Sequence, residues 1–184
     1  VTLAALKYHE NTNMPLWKID KYVRKTLGPN PFRAHDAIGA KGANFLTWSC
    51  LHHLGEKYGK LFAPTIDLIE RKNSGENWYP LNHFRPLIDW KMESEDLIKF
   101  EQIIMGAMIQ MTSLLLKEKR SHFTHINAIG ELCAQFRTGI LAKIRKIGTE
   151  EAINNVRSYQ NFTGDKESCW YPKVFEIIET PKWQ

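Results

Sequence analysis

Seven histidines and three cysteines are the residues of this sequence with the widest chemistry, because imidazole and thiolate groups ligate metals and take part in catalysis. Their closest groupings are Cys50-x-His52-His53 and His122-x2-His125. A structural zinc site needs four ligands in paired short spacings, and neither grouping has a matching pair elsewhere in the sequence. We therefore expect no metal site and no cofactor.

Sequence signatures of nucleophilic catalysis and phosphate cradling are also missing. Ser49 and Cys50 lie in an apolar helical pattern, and no Gly-x-Ser-x-Gly elbow is present. The glycine-rich stretch 39–44 lacks the spacing of a P-loop, which favours a helix kink or a close helix crossing. Cys133 falls on an apolar stripe and is predicted to be a core residue. We expect a protein that is not an enzyme; an enzyme using Cys50 or the His52/His53 pair would have to show thiol reactivity or bound metal.

The composition is that of a folded chain: 184 residues, of which 43% are hydrophobic and 24% charged, exclude a disordered protein. No apolar run approaches the ~18 residues of a membrane span, and no secretory signal opens the sequence, so we expect no membrane segment. Cys50, Cys133 and Cys169 are an odd number of widely separated cysteines. They are predicted to be reduced thiols in an intracellular compartment, either cytoplasm or nucleus.

Hydrophobic spacing predicts an all-α fold, a compact multi-helix domain built around a long central apolar helix. Asn13 is expected to cap the first helix, and Pro64 to be the first residue of the third. The predicted helices are 15–27, 31–58 with a break near Gly39 or Gly42, 65–72, 94–120, 126–147 and 149–159.

Two segments lack helical periodicity. Residues 73–93 are predicted to form a long loop rich in aromatic residues, and the chain beyond Gly164 an extended tail that holds at most a short strand. We expect a single helical domain over residues 1–184, or a fragment of a larger protein, with a possible sub-boundary near 73–93.

Positive charge is concentrated in the sequence. The chain has 25 Lys and Arg against 20 Asp and Glu, and the segment 117–146 holds seven bases against two acids, so it carries the whole net charge of +5. These bases are Lys117, Lys119, Arg120, Arg137, Lys143, Arg145 and Lys146. A second cluster, near the N-terminus, consists of Lys18, Lys21, Arg24, Lys25, Arg33 and Lys41.

Clustered bases attract phosphates through counterion release, which predicts a site for nucleic acid. The alternative is that they complement helix dipoles and solubilise the surface. On a continuous helix 126–147, the bases Arg137, Lys143, Arg145 and Lys146 would point in different directions.

Aromatic residues in the loop support the same expectation, because bases of single-stranded nucleic acid stack on aromatic rings. Trp78, Tyr79, Phe84 and Arg85 are the candidates for stacking or for gating a groove. The alternative is that these rings cover the core beneath the loop. Sequence-specific reading of duplex DNA is not supported, because no known DNA-reading motif is present.

The aromatic tail is a candidate for self-association through an exchanged arm, as is the segment Val1 to Tyr8. The tail residues concerned are Trp170, Tyr171, Phe175, Ile177, Ile178 and Trp183. The expected function is therefore backbone-directed binding of nucleic acid, RNA being the expected partner, by a homo-oligomer. RNA-coating proteins such as viral nucleoproteins share this profile as a class, without a matched motif. The alternative is a helical module that docks partner proteins through apolar surfaces and the tail.

Overall fold

The computed structural model describes residues 1–80 and 94–164, and every regular element in these ranges is a helix, which confirms the all-α prediction. The described residues form two compact units. The first contains residues 1–25, 30–80 and 94–97, and the second contains residues 26–29 and 98–164. The predicted loop beyond Pro80 and the predicted tail beyond Gly164 lie outside the described residues.

Within residues 1–80, the first unit is built from five α-helices and one 3-10 turn. They are α1 (Thr2–Thr12), α2 (Leu16–Thr26), α3 (Pro31–Ile38), α4 (Ala40–Tyr58), the 3-10 turn (Lys60–Phe62) and α5 (Ile66–Ser74). The break between α3 and α4 falls at Gly39, whose φ of 116° is a conformation open mainly to glycine. The expected interruption of the helical region 31–58 is thus confirmed.

Three local predictions at helix ends were wrong. Val1 to Tyr8 is no free arm, since it folds into α1 and buries Ala4, Ala5, Leu6 and Tyr8 within the chain. Asn13 is the left-handed C-cap of α1 and not the N-cap of α2. Ile66, and not Pro64, is the first residue of α5. Thr65 is its N-cap, and the Thr65 Oγ1 accepts a hydrogen bond from the backbone N–H of Leu68 at 3.5 Å.

A buried aspartate on α2 caps the N-terminus of α3. Asp20 is fully buried, and its two carboxylate oxygens accept the backbone N–H groups of Phe32 and Arg33, both at 3.1 Å. The Tyr79 hydroxyl donates to the same carboxylate at 2.7 Å. Burial raises the pKa of Asp20, and these three hydrogen bonds act in the opposite direction.

A second aspartate fixes the backbone at the end of the first described range. Asp36 accepts the N–H groups of Trp78 at 2.8 Å and of Tyr79 at 3.0 Å. The Trp78 indole N–H donates to Asn44 Oδ1 at 2.8 Å, and His35 Nδ1 lies 2.8 Å from the same oxygen. Residues 78 and 79 are therefore bound to the helical framework through both backbone and side chain.

The second unit contains most of α6 and three shorter helices. The elements are α6 (Ser94–Lys117), α7 (Phe123–Leu132), α8 (Ile140–Ile147) and α9 (Thr149–Thr163). The predicted continuous helix 126–147 was wrong, because the chain leaves helical conformation between Leu132 and Ile140. Cys133, predicted to be a core residue, is exposed at the end of α7.

Side chains of α7 satisfy the backbone where the helix is broken. Asn127 Oδ1 accepts the N–H of Leu141 at 2.9 Å and so caps α8, and Glu131 accepts the N–H of Gly139 at 2.6 Å. The ring of Phe136 lies against Gly130. These contacts replace the helical hydrogen bonds that the break removes.

The turn Thr26–Pro29 belongs to the second unit and makes three polar contacts there. The Arg137 N–H donates to the Leu27 carbonyl at 2.8 Å, the Lys143 ammonium donates to the Thr26 carbonyl, and the Thr26 hydroxyl donates to Glu101 at 3.0 Å. Gly28 has a φ of 125° and packs against the Gln135 carbonyl. Any larger residue at position 28 would meet this backbone.

Replacing Gly28 with alanine is expected to lower the free energy of unfolding by about 3 kcal/mol or more, combining an unfavourable φ with a steric overlap. The new Cβ would lie 2.5 Å from the Gln135 oxygen. Gly148→Ala is the matched control, because Gly148 also has a positive φ, 84°, but no atom of the described residues lies within 4 Å of its Cβ position. The control should lose about 1 kcal/mol in urea unfolding. Equal losses in the two variants would contradict the close contact.

Tyr79→Phe is expected to lower the free energy of unfolding by about 1–2 kcal/mol at neutral pH, because it removes the hydrogen bond that the Tyr79 hydroxyl donates to the buried Asp20 carboxyl group. Since the folded-state pKa of Asp20 is raised, protonation stabilises the folded chain as the pH falls through that value. The hydroxyl stabilises the ionised form, so the difference between wild type and variant should shrink at acidic pH. Urea titrations at neutral and acidic pH would measure it; a difference independent of pH would refute this role.

Candidate nucleic-acid interface

Three of the predicted phosphate-binding residues, Arg137, Lys143 and Lys146, lie near one another in the second unit; we call them the basic patch. The Arg137 backbone N–H and the Lys143 ammonium donate to adjacent carbonyls, those of Leu27 and Thr26, and Lys143 and Lys146 line one cavity. The pKa of Lys143 reflects the same surroundings. Partial burial lowers this pKa, the Glu101 carboxylate raises it, and the positive charges of Lys146 and Arg137 lower it further. The patch thus brings together bases that the sequence analysis placed on different faces.

The break between α7 and α8 is what brings Arg137 to the two lysines. Arg137 lies in the connecting segment, where its backbone N–H is bound to Leu27. Lys143 and Lys146 are three residues apart on α8 and so share one helix face. Arg137 and Lys146 are exposed, whereas Lys143 is half-buried because its ammonium reaches the Thr26 carbonyl.

A cavity of about 430 Å³ adjoins the patch, and both lysines line it. Two carboxylates, Glu101 and Glu151, and the amide of Asn155 also line this cavity. Ile98, Met105 and Ile147 form its apolar wall. Neither Glu101 nor Asn155 was predicted: Glu101 is the one acidic residue beyond the first turn of a mainly apolar helix, and Asn155 lies in a helix rich in polar residues.

The remaining predicted bases of the second unit are not members of the basic patch. Lys117 is exposed on the last turn of α6, and Lys119 is exposed just beyond it. The Arg120 Nε lies 3.1 Å from Glu118 Oε2, so its charge is partly balanced. Arg145 is exposed on α8 between the two lysines of the patch in sequence.

The second predicted cluster of bases belongs to the first unit. Lys18 lies 3.7 Å from the Asp96 carboxylate and 5.5 Å from the centre of the Tyr22 ring, so its charge is already balanced. Lys21 is half-buried. The exposed members are Arg24, Lys25, Arg33 and Lys41.

The loop aromatics at positions 78 and 79 are integrated into the core of the first unit. The Trp78 ring is 5% exposed and contacts Phe32 at 5.1 Å between centroids and the Arg71 guanidinium at 5.8 Å. Burial raises the pKa of Tyr79 far above its ordinary value, and its hydroxyl is bound to Asp20. For these two residues, the structure has the arrangement of the alternative named above, in which the rings cover the core, and not that of exposed stacking platforms.

The other candidates for stacking and self-association lie outside the described residues. They are Phe84 and Arg85 of the loop and Trp170, Tyr171, Phe175, Ile177, Ile178 and Trp183 of the tail. Their predicted roles stay predictions.

The histidine groupings make ordinary helix-surface contacts. His52 and His53 both contact Glu56, at 3.5 and 3.3 Å, and His122 caps α7 by accepting the Thr124 N–H. Over residues 1–80 and 94–164, no group of three His, Cys, Asp or Glu residues is placed to hold a metal ion. The helices in these ranges also include none with the length and hydropathy needed to cross a bilayer.

No protein-family model matches this chain, and comparisons with curated proteins and with solved structures found no significant match.

Proposed function

We propose that this chain is a non-enzymatic protein that binds single-stranded nucleic acid, RNA in particular, through its phosphates, and that the basic patch is the contact surface. The observation that supports this most is the convergence of Arg137, Lys143 and Lys146 on one region of the second unit. Positive side chains fixed near one another release counterions when a phosphate strand replaces them.

The state of Lys143 favours an anionic ligand. Partial burial lowers its pKa, the Glu101 carboxylate raises it, and the positive charges of Lys146 and Arg137 lower it further. A phosphate beside the three bases would add a second negative charge to that of Glu101. Because the Thr26 carbonyl already orients the ammonium, little side-chain freedom is lost on binding.

The two carboxylates that line the adjoining cavity limit the net charge of the region. One chain is therefore expected to make few phosphate contacts and to bind weakly by itself. Self-association would place several such sites along one strand and raise the overall affinity without new contacts. This links the proposed binding to the proposed homo-oligomer.

The double variant Arg137→Gln with Lys146→Gln is expected to weaken binding to a single-stranded oligonucleotide and to flatten its salt dependence. Each lost phosphate contact changes the slope of log K against log salt by about 0.7, so the slope should fall by about 1.4. Fluorescence anisotropy over a salt series would measure this slope. Both residues are exposed, so the fold should be retained.

The matched control is Lys60→Gln with Arg157→Gln, which removes the same charge from exposed residues that are not in the patch. We expect a slope close to that of the wild type. An equal reduction in both double variants would indicate a general charge effect, and the patch would no longer be the contact surface.

A second candidate function, docking of protein partners including copies of the same chain, is favoured by exposed apolar residues of the first unit. Ile38 at the end of α3 is 78% exposed, and Phe45 and Leu46 on α4 are 51% and 64% exposed. Large apolar side chains exposed near one another in sequence are typical of interaction surfaces. The absorbance ratio A260/A280 before and after a high-salt wash separates the two functions, because bound nucleic acid raises it.

Phe45→Gln with Leu46→Gln is expected to reduce the mass of any assembly measured by sedimentation velocity if this surface mediates association. Ile129→Gln with Leu132→Gln is the control, since these residues of α7 are also exposed, at 53% and 82%. The control should leave the mass unchanged. Assemblies that persist in the first variant would exclude the α4 surface as the site of association.

A further inference from the structure

The cavity beside the basic patch contains two hydrogen-bond acceptors that the described residues do not use. Asn155 is 4% exposed, and its Oδ1 atom has no partner within the described part of the chain. Glu101 accepts the Thr26 hydroxyl through Oε1, while its Oε2 accepts no hydrogen bond from any described residue. The buried Asn155 oxygen is unfavourable without a donor. Glu101 is only half-buried, so its second oxygen is open to a ligand that donates a hydrogen bond.

The same cavity offers donors and an apolar wall on its other sides. The ammonium groups of Lys143 and Lys146 line it, as do Ile98, Met105 and Ile147. A fitting ligand therefore has hydroxyl or amino donors, an anionic group and a flat or apolar part. At about 430 Å³, the cavity falls in the size range of small-molecule sites.

A ribonucleotide combines these features. Its phosphate suits the two lysines, its base suits the apolar wall, and its ribose hydroxyls are donors for Glu101. An ionised carboxylate accepts hydrogen bonds and repels a phosphate, so we assign Glu101 to the ribose and the lysines to the phosphate. The 2′-hydroxyl is the one that a deoxyribonucleotide lacks.

We infer that this cavity binds the ribose of one nucleotide of the bound strand and that Glu101 accepts a hydrogen bond from its 2′-hydroxyl. The inference rests on the proposed function and assigns its preference for RNA over DNA to Glu101. Lys143 and Lys146 bind the adjoining phosphate.

The test compares oligo(U) with oligo(dU), which differ only at the 2′ position. The wild type should bind oligo(U) about tenfold more tightly, the range of a hydrogen bond to a charged group. Glu101→Gln keeps an oxygen for the Thr26 hydroxyl, so the fold is retained, but loses the charge-assisted bond. Its preference for oligo(U) should fall to about threefold or less.

Glu151→Gln is the matched control, because it removes the other carboxylate that lines the cavity. Both variants lose one negative charge and should bind both strands more tightly, so only the ratio of the two affinities reports the ribose contact. We expect the control to keep the ratio of the wild type. An unchanged ratio in Glu101→Gln overturns the inference.

Mononucleotides provide a second measurement that needs no variant. Uridine 5′-monophosphate should compete with oligo(U) at lower concentration than its 2′-deoxy analogue or inorganic phosphate. Equal competition by all three, with salt-dependent binding intact, overturns the ribose site and leaves the proposed function standing. Absence of salt-dependent binding to either strand overturns the proposed function itself.

Discussion

The structure of the second unit depends on hydrogen bonds to two consecutive carbonyl groups, those of Thr26 and Leu27. A turn leaves such carbonyls without helical partners, and burial makes unpaired carbonyls unfavourable. The backbone N–H of Arg137 and the ammonium of Lys143 donate to these carbonyls. Gly28 has no Cβ, which allows the Gln135 carbonyl to approach its backbone closely, and its φ of 125° is unfavourable for other residues. The positions of Arg137 and Lys143 therefore follow from the hydrogen bonds that the Leu27 and Thr26 carbonyls of this turn need.

Because of this arrangement, the three bases of the patch differ in what they do. Lys143 uses one N–H for the Thr26 carbonyl, which makes it a structural residue, and it retains two further donors for the phosphate of the proposed function. Arg137 is fixed through its backbone, which leaves the guanidinium exposed, and Lys146 is exposed on the same face of α8 as Lys143. A substitution of Lys143 would therefore affect both folding and binding. Substitutions of Arg137 and Lys146 test binding alone, because the side chains of both residues are exposed.

Helix periodicity predicted most of the described helices but not the break that shapes the site. The apolar residues from Ile126 to Ile147 keep three- and four-residue steps across the interruption, so their spacing alone indicates one helix. Gly130 and Gly139 were the only local signs of a break, and the contacts that decide it come from Asn127 and from the distant Leu27. The burial of Trp78 and Tyr79 also depends on contacts distant in sequence. Asp36 binds the Trp78 backbone from 42 positions away, and Asp20 binds the Tyr79 hydroxyl from 59 positions away.

Two carboxylates of the first unit differ from Glu101 of the second unit in how many of their hydrogen bonds the fold itself supplies. In the first unit, Asp20 and Asp36 accept hydrogen bonds from backbone and hydroxyl donors, so these carboxylates are engaged within the fold. In the second unit, Glu101 keeps one open oxygen and Asn155 an unpartnered one, next to a lysine whose charge is partly desolvated. The buried Asn155 oxygen without a donor is unfavourable for stability. Glu101 and the two lysines at the cavity can pair with a ligand that is both a donor and an anion, so the chemistry of a ribonucleotide fits the cavity better than that of phosphate by itself.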